Sequence, residues 1–149
     1  MTVSEKEALE LERCVQENGY AVAVYEAIGG YTVGLKDYEL PDLVILTPRN
    51  EDGEFNHPGL VLERIVELLR DQHLILDKGG VLEIPASLHE FWSEGDFDTT
   101  VSLVPLDPEC VSVLPHLNTQ QWMNTWLYQV VFSDEPERFT PQSTDFLEV

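Results

Sequence analysis

Histidines, cysteines and closely spaced acids are the residue types here that could do chemistry. The four histidines, His57, His73, His89 and His116, never recur at a metal-ligand spacing such as H-x-x-x-H, and no metal site is expected. His89-Glu90 has the side chains of an acid–base pair, yet no nucleophile motif accompanies it, so it reads as adjacency in a loop. Glu94, Asp96 and Asp98 alternate like the start of a calcium loop, but Pro105 stands where the closing glutamate belongs, and a solvated acidic loop is the better reading. The run Gly29-Gly30-Tyr31-Thr32-Val33-Gly34 has no Walker lysine and no helix pattern behind it, which makes it a hairpin rather than a phosphate loop. G-x-S-x-G and H-E-x-x-H are absent from the sequence. No catalytic residue and no cofactor is assigned, and the balance leans away from an enzyme.

Two sets of residues remain as candidates. The first is a ligand pocket made by Tyr31 and Thr32 beside Gly34, with Arg49 after the next strand and His57 at a helix start. Arg49 is one of few bases and could bind an anion, although a surface ion pair with Glu51, Asp52 or Glu54 is the better reading. The second set is acidic and suited to a basic partner: Glu94, Asp96, Asp98, Asp107, Glu109, Asp134, Glu135 and Glu137.

Charge gives the second set its weight. The 149 residues hold 28 acids and 8 bases, a net charge of -20. Residues 81–149 hold 12 of the acids and a single base, Arg138, for a net of -11. A chain so poor in Lys and Arg lacks the phosphate contacts of nucleic-acid binding, and an anionic membrane surface would repel it. A basic protein partner is the positive reading, with solubility or salt adaptation as the bland one. Hydrophobic residues make up 43% of the chain, too many for a disordered acidic tail. Cys14 and Cys110 are far apart and read as small buried hydrophobes, and neither a signal core nor a transmembrane run is present. The expected setting is the cytoplasm.

The elements that must position these residues follow from pattern. Ser4 and Glu7 form a capping box, Ala8, Leu11, Cys14 and Val15 share a face, and Asn18-Gly19 supplies the stop, so a helix is expected over 4–17. Tyr20–Tyr25 and Tyr31–Leu35 read as hairpin strands around a Gly29-Gly30 turn. Leu43–Thr47 lacks polar alternation and should be a central strand covered on both faces. His57-Pro58 opens a second helix with a wide apolar stripe. Val81–Ile84, Thr100–Val104, Cys110–Leu114 and Tyr128–Phe132 are expected strands, the middle two as a hairpin around Asp107-Pro108. Asn118 and Gln121 suggest a third helix carrying Trp122, Met123, Trp126 and Leu127. The sum is one α+β domain over 1–149: a mixed or mainly antiparallel sheet of five to seven strands, two or three helices packed mainly on one face, a core over about 4–132, and a polar tail over 133–149. The apolar pattern is compatible with a homodimer.

Tyr31-Thr32-Val33-Gly34-Leu35 followed by Leu40-Pro41-Asp42-Leu43-Val44-Ile45 resembles a bacterial family, the domain-of-unknown-function family forty-two sixty-two. Trp126, Tyr128 through Phe132 and Arg138-Phe139 look like its closing segment. Two positions depart from the family: Tyr38-Glu39-Leu40 stands where Gly-His often precedes the Pro, and Phe132-Ser133-Asp134 where Trp-Pro-Asp is usual. The resemblance implies a bacterial, cytoplasmic protein of this fold and assigns no reaction. The function expected is a non-enzymatic binding or inhibitor-type protein that engages a basic partner, in the manner of immunity proteins, anti-defence inhibitors or nucleic-acid mimics. The alternative is a small-ligand-binding or hydrolytic domain at Tyr31, Thr32, Arg49 and His57.

Overall fold

The computed structural model describes residues 5–25, 29–46, 58–71, 82–83, 101–114, 116–117 and 119–132. Helix α1, Glu5–Asn18, turns Leu11 into the core and ends where the Gly19 N–H donates to the Val15 carbonyl at 2.8 Å. Helix α2, Pro58–Arg70, begins at its proline, where the missing N–H has no intrahelical partner to lose. Arg70 closes it, donating to the Asn18 carbonyl with its guanidinium 5.3 Å from the Tyr38 ring and 6.0 Å from Tyr20. One side chain thus joins the C-terminal ends of both helices.

Among the described residues six strands form one sheet: β1 Ala21–Tyr25, β2 Gly29–Val33, β3 Asp42–Leu46, β4 Leu82–Glu83, β5 Val101–Leu106 and β6 Leu127–Phe132. Their order is β1-β2-β3-β6-β5-β4. Only β3 and β6 run parallel; the other pairs are antiparallel, which gives the expected α+β architecture with a mixed, mostly antiparallel sheet.

The core divides by strand parity. Leu43 and Ile45 of β3 face α2, joining Val61, Leu62, Ile65 and Leu69 with Leu103, Tyr128 and Val130. Val44 faces the other way, toward Leu11 of α1, Tyr31, Val33, Leu114 and Trp122. The helices therefore cover opposite faces, not mainly one. The apolar run of β3 had already implied two covered faces, and a single helical layer leaves one of them bare. Each fully buried aliphatic side chain here contributes about 1.5–3 kcal/mol of transfer free energy.

Three local expectations are corrected. Gly29 and Gly30 lie inside β2 rather than in a turn, and Gly29 at φ 145 is a conformation that side chains avoid. The Cys110–Leu114 segment is not a strand: Pro108–Val113 is a 3-10 helix, capped by Asp107, whose carboxylate accepts the Glu109 N–H at 2.9 Å. Asp107-Pro108 is an N-cap followed by an early proline, and that local signal outweighs the strand-like alternation after it. β5 pairs with β4 and β6 instead. The third helix is a single turn, with the Trp122 and Met123 N–H groups donating to the Thr119 carbonyl, because the residues after it bond across to β3 and the loop before it. Trp122 is buried, Met123 is exposed, and Leu127 already belongs to β6. The acidic loop 49–55, the segment 85–98 and the tail 133–149 lie outside the described residues.

Candidate functional site

Asp42 opens β3, a strand covered on both faces, and its side chain is fully buried. The β2–β3 ladder closes at Tyr31 opposite Val44. Beyond it the Thr32 hydroxyl takes the place of a backbone acceptor: Oγ1 receives the Leu43 N–H at 2.9 Å and donates to Asp42 Oδ1 at 2.8 Å. The Leu35 N–H, in the 3-10 helix Leu35–Tyr38 that follows β2, reaches the same oxygen at 3.4 Å. Asn124 donates its amide to Asp42 Oδ2 at 2.9 Å and to the Leu40 carbonyl at 3.2 Å, while its Oδ1 accepts the Trp126 N–H at 3.0 Å. The Asp42 N–H completes the ring by donating to the Trp126 carbonyl. Burial pushes the Asp42 carboxyl up to about 7, against the hydrogen bonds from Asn124, Thr32 and Leu35 and the charge of Lys36. The Lys36 ammonium itself donates to the Gln120 carbonyl at 3.3 Å.

A second polar group lies at the buried His116. Its backbone N–H donates to the Tyr31 hydroxyl at 3.2 Å, its Nε2 stands 3.5 Å from Glu7 Oε1, and its ring meets Trp122 edge-on. Burial pushes the imidazole below its ordinary range, against the pull of Glu7. Chain 116–126 is thereby tied to α1 and β2 at one end and to β3 at the other.

The candidates named from sequence are placed as follows. Tyr31 and Thr32 are both fully buried: the Tyr31 hydroxyl accepts from His116, and Thr32 joins β2 to β3. Arg49 and His57 lie outside the described residues, as do Glu94, Asp96, Asp98, Asp134, Glu135 and Glu137. Asp107 and Glu109 are exposed, together at the start of the 3-10 helix. Asp42 and Asn124 are not among these candidates, and His116 is weighed from the sequence only as a metal ligand. Asp42 carried a signal, an acid at the head of an otherwise apolar strand; Asn124 carried none.

Among the described residues no three His, Cys, Asp or Glu side chains gather as metal ligands, and no helix is long and apolar enough to cross a membrane. Cys14 and Cys110 are free thiols, and burial, helped by Asp107 and Glu109, pushes the Cys110 thiol up. Comparison with protein-family models, curated proteins and solved structures gives no match. Chemically, the Asp42 group can exchange a proton near neutral pH, but Thr32, Asp42 and Asn124 present almost no surface on which a substrate could sit.

Proposed function

We propose that this chain is a non-enzymatic binding protein of the bacterial cytoplasm that engages a basic protein partner through its acidic surface. The observation that carries the reading is the charge: -20 overall, with -11 of it in residues 81–149. Opposed fields of that size speed encounter and favour basic partners over acidic ones. The ligand-pocket alternative draws less support, because Tyr31 and Thr32 spend their hydroxyls inside the core.

The test is affinity capture from lysate at low and then high salt, identification of what elutes by mass spectrometry, and the association rate of the captured protein against ionic strength. A basic protein whose association slows about tenfold or more from low to physiological salt is expected. An association rate indifferent to salt overturns the reading.

A further inference from the structure

We propose that the outer edge of β1 is the line on which the partner docks, by adding an extended basic segment to the sheet as a further strand. The basic character of the occupant rests on the function proposed above; the edge itself rests on geometry.

β1 is the terminal strand of the sheet and pairs with β2 over five consecutive residues without a bulge. A Cβ on Gly30 would stand 2.7 Å from the Ala23 carbonyl oxygen, which places that oxygen on the β2 side. Backbone groups alternate along an antiparallel strand, so those of Val22 and Val24 point outward. Side chains alternate between the two faces: Ala21 and Ala23 are buried in the cluster of α1, Val22 packs against the cluster of α2, and Val24 beside it is 44% exposed. Among the described residues no backbone hydrogen bond closes onto that outer side. Edge strands are commonly guarded by lysine, proline or a bulge, and Ala-Val-Ala-Val-Tyr has none of these. Such an edge is a template for strand addition.

Charge selects the occupant. Helix α1, packed on one face of β1, carries five acids against two bases, and Arg13 is already held by Glu10 and Glu17. On the other face, Glu63 and Glu67 of α2 stand near Tyr20, the residue before β1, although Arg64 and Arg70 offset them locally. A second copy of the chain would bring its own -20 to the same edge.

Residue-resolved amide hydrogen exchange on the full chain reads the proposal directly. The probe is a short peptide alternating lysine and valine; a peptide of equal charge with proline in place of alternate valines cannot pair and serves as control. At low salt the Val22 and Val24 amides should exchange about tenfold more slowly with the first peptide and be unchanged by the control. Val24→Lys, which sets a like charge beside the peptide, and Val24→Pro, which removes an outward N–H, should each lose that protection; should the proline variant fail to fold, the lysine variant alone decides. If the lysine peptide binds and leaves these amides unprotected, the edge is not the docking line, although the basic-partner reading survives. If a glutamate–valine peptide protects them equally, the edge stands and the basic occupant falls. If they become protected without peptide as salt is raised, the edge belongs to a second copy and the proposal is overturned.

Discussion

Replacing Asp42 with asparagine isolates what a buried carboxylate does to this fold. Burial raises its pKa from 3.8 to about 7 in the native chain. An acid with a raised native pKa holds its proton more tightly folded than unfolded. Its contribution to stability is therefore fully present below about pH 4 and is lost as pH rises through 7. A separation of about three units at ~1.4 kcal/mol each makes the total loss ~4 kcal/mol, of which ~3 kcal/mol falls between about pH 5 and pH 8. The neutral acid keeps its bonds by reversing one: its O–H donates to Thr32 Oγ1, 2.8 Å away, while Oδ2 still accepts from Asn124 at 2.9 Å. Asparagine at this position keeps the bonds to Thr32 and Asn124, its amide donating to the first and its carbonyl accepting from the second; it gives up only the long bond from the Leu35 N–H, a loss that does not vary with pH, and it does not ionise. Urea unfolding followed by tryptophan fluorescence, on wild type and Asp42→Asn, cancels the pH dependence that both share as highly acidic chains. The difference between them should move by ~3 kcal/mol in the variant's favour between about pH 5 and pH 8. A difference that does not change with pH refutes the reasoning, and would mean that Asp42 titrates in the native state as it does unfolded.

Thr32→Val removes a hydroxyl that serves two buried partners and leaves the Leu43 N–H without its acceptor; a loss of about 2–4 kcal/mol is expected in the same unfolding assay. Gly29→Ala drives a Cβ into the Ile45 carbonyl oxygen at a φ of 145, so the variant should lose at least ~3 kcal/mol or fail to fold, read as thermal midpoint or soluble yield. Cys110 is 1% exposed with its thiol pushed up by burial, so iodoacetamide should label it only as the chain unfolds, with mass spectrometry following the rate against urea.

What was legible in the sequence was local. The stop at Asn18-Gly19, the opening of α2 at Pro58 and the doubly covered strand Leu43–Ile45 each depend on neighbours a few residues away, and each stands close to where the pattern put it. What was not legible depends on distant partners. Asp42 is defined by Thr32 ten residues before it and Asn124 eighty-two residues after it, and no periodicity carries that information. The same distance explains the missing third helix, since Asn124 and Leu127 are held by β3 and so cannot continue the turn at Thr119. The 3-10 helix at Pro108 is a different case: its N-cap is local and readable, and it competes with a strand-like alternation in Cys110–Leu114 that is equally local.

The position of the Asp42 group explains why a costly carboxylate stands in the core. The sheet has two halves, β1-β2-β3 and β6-β5-β4, and the parallel pair of β3 with β6 is where they meet. Asp42 opposite Leu127 is the first step of that pair: its carboxylate accepts from Asn124 and its backbone N–H donates to the Trp126 carbonyl. A slip of one residue would exchange Val44 with its neighbours Leu43 and Ile45 between the two covered faces, all of them apolar, so side-chain hydropathy alone discriminates poorly between registers. Directed bonds to one carboxylate do discriminate, because a slipped strand leaves it buried and unpaired. Asp42→Leu separates the two effects: it puts an apolar side chain at this step and removes the bonds that Thr32, Leu35 and Asn124 make to the carboxylate, while the backbone bond to Trp126 stays. If register depends on the carboxylate, the β3 and β6 amide resonances of this variant should broaden or double even where its stability at neutral pH matches wild type. Single sharp resonances would show that the apolar pattern sets the register unaided and confine the role of Asp42 to its pH dependence.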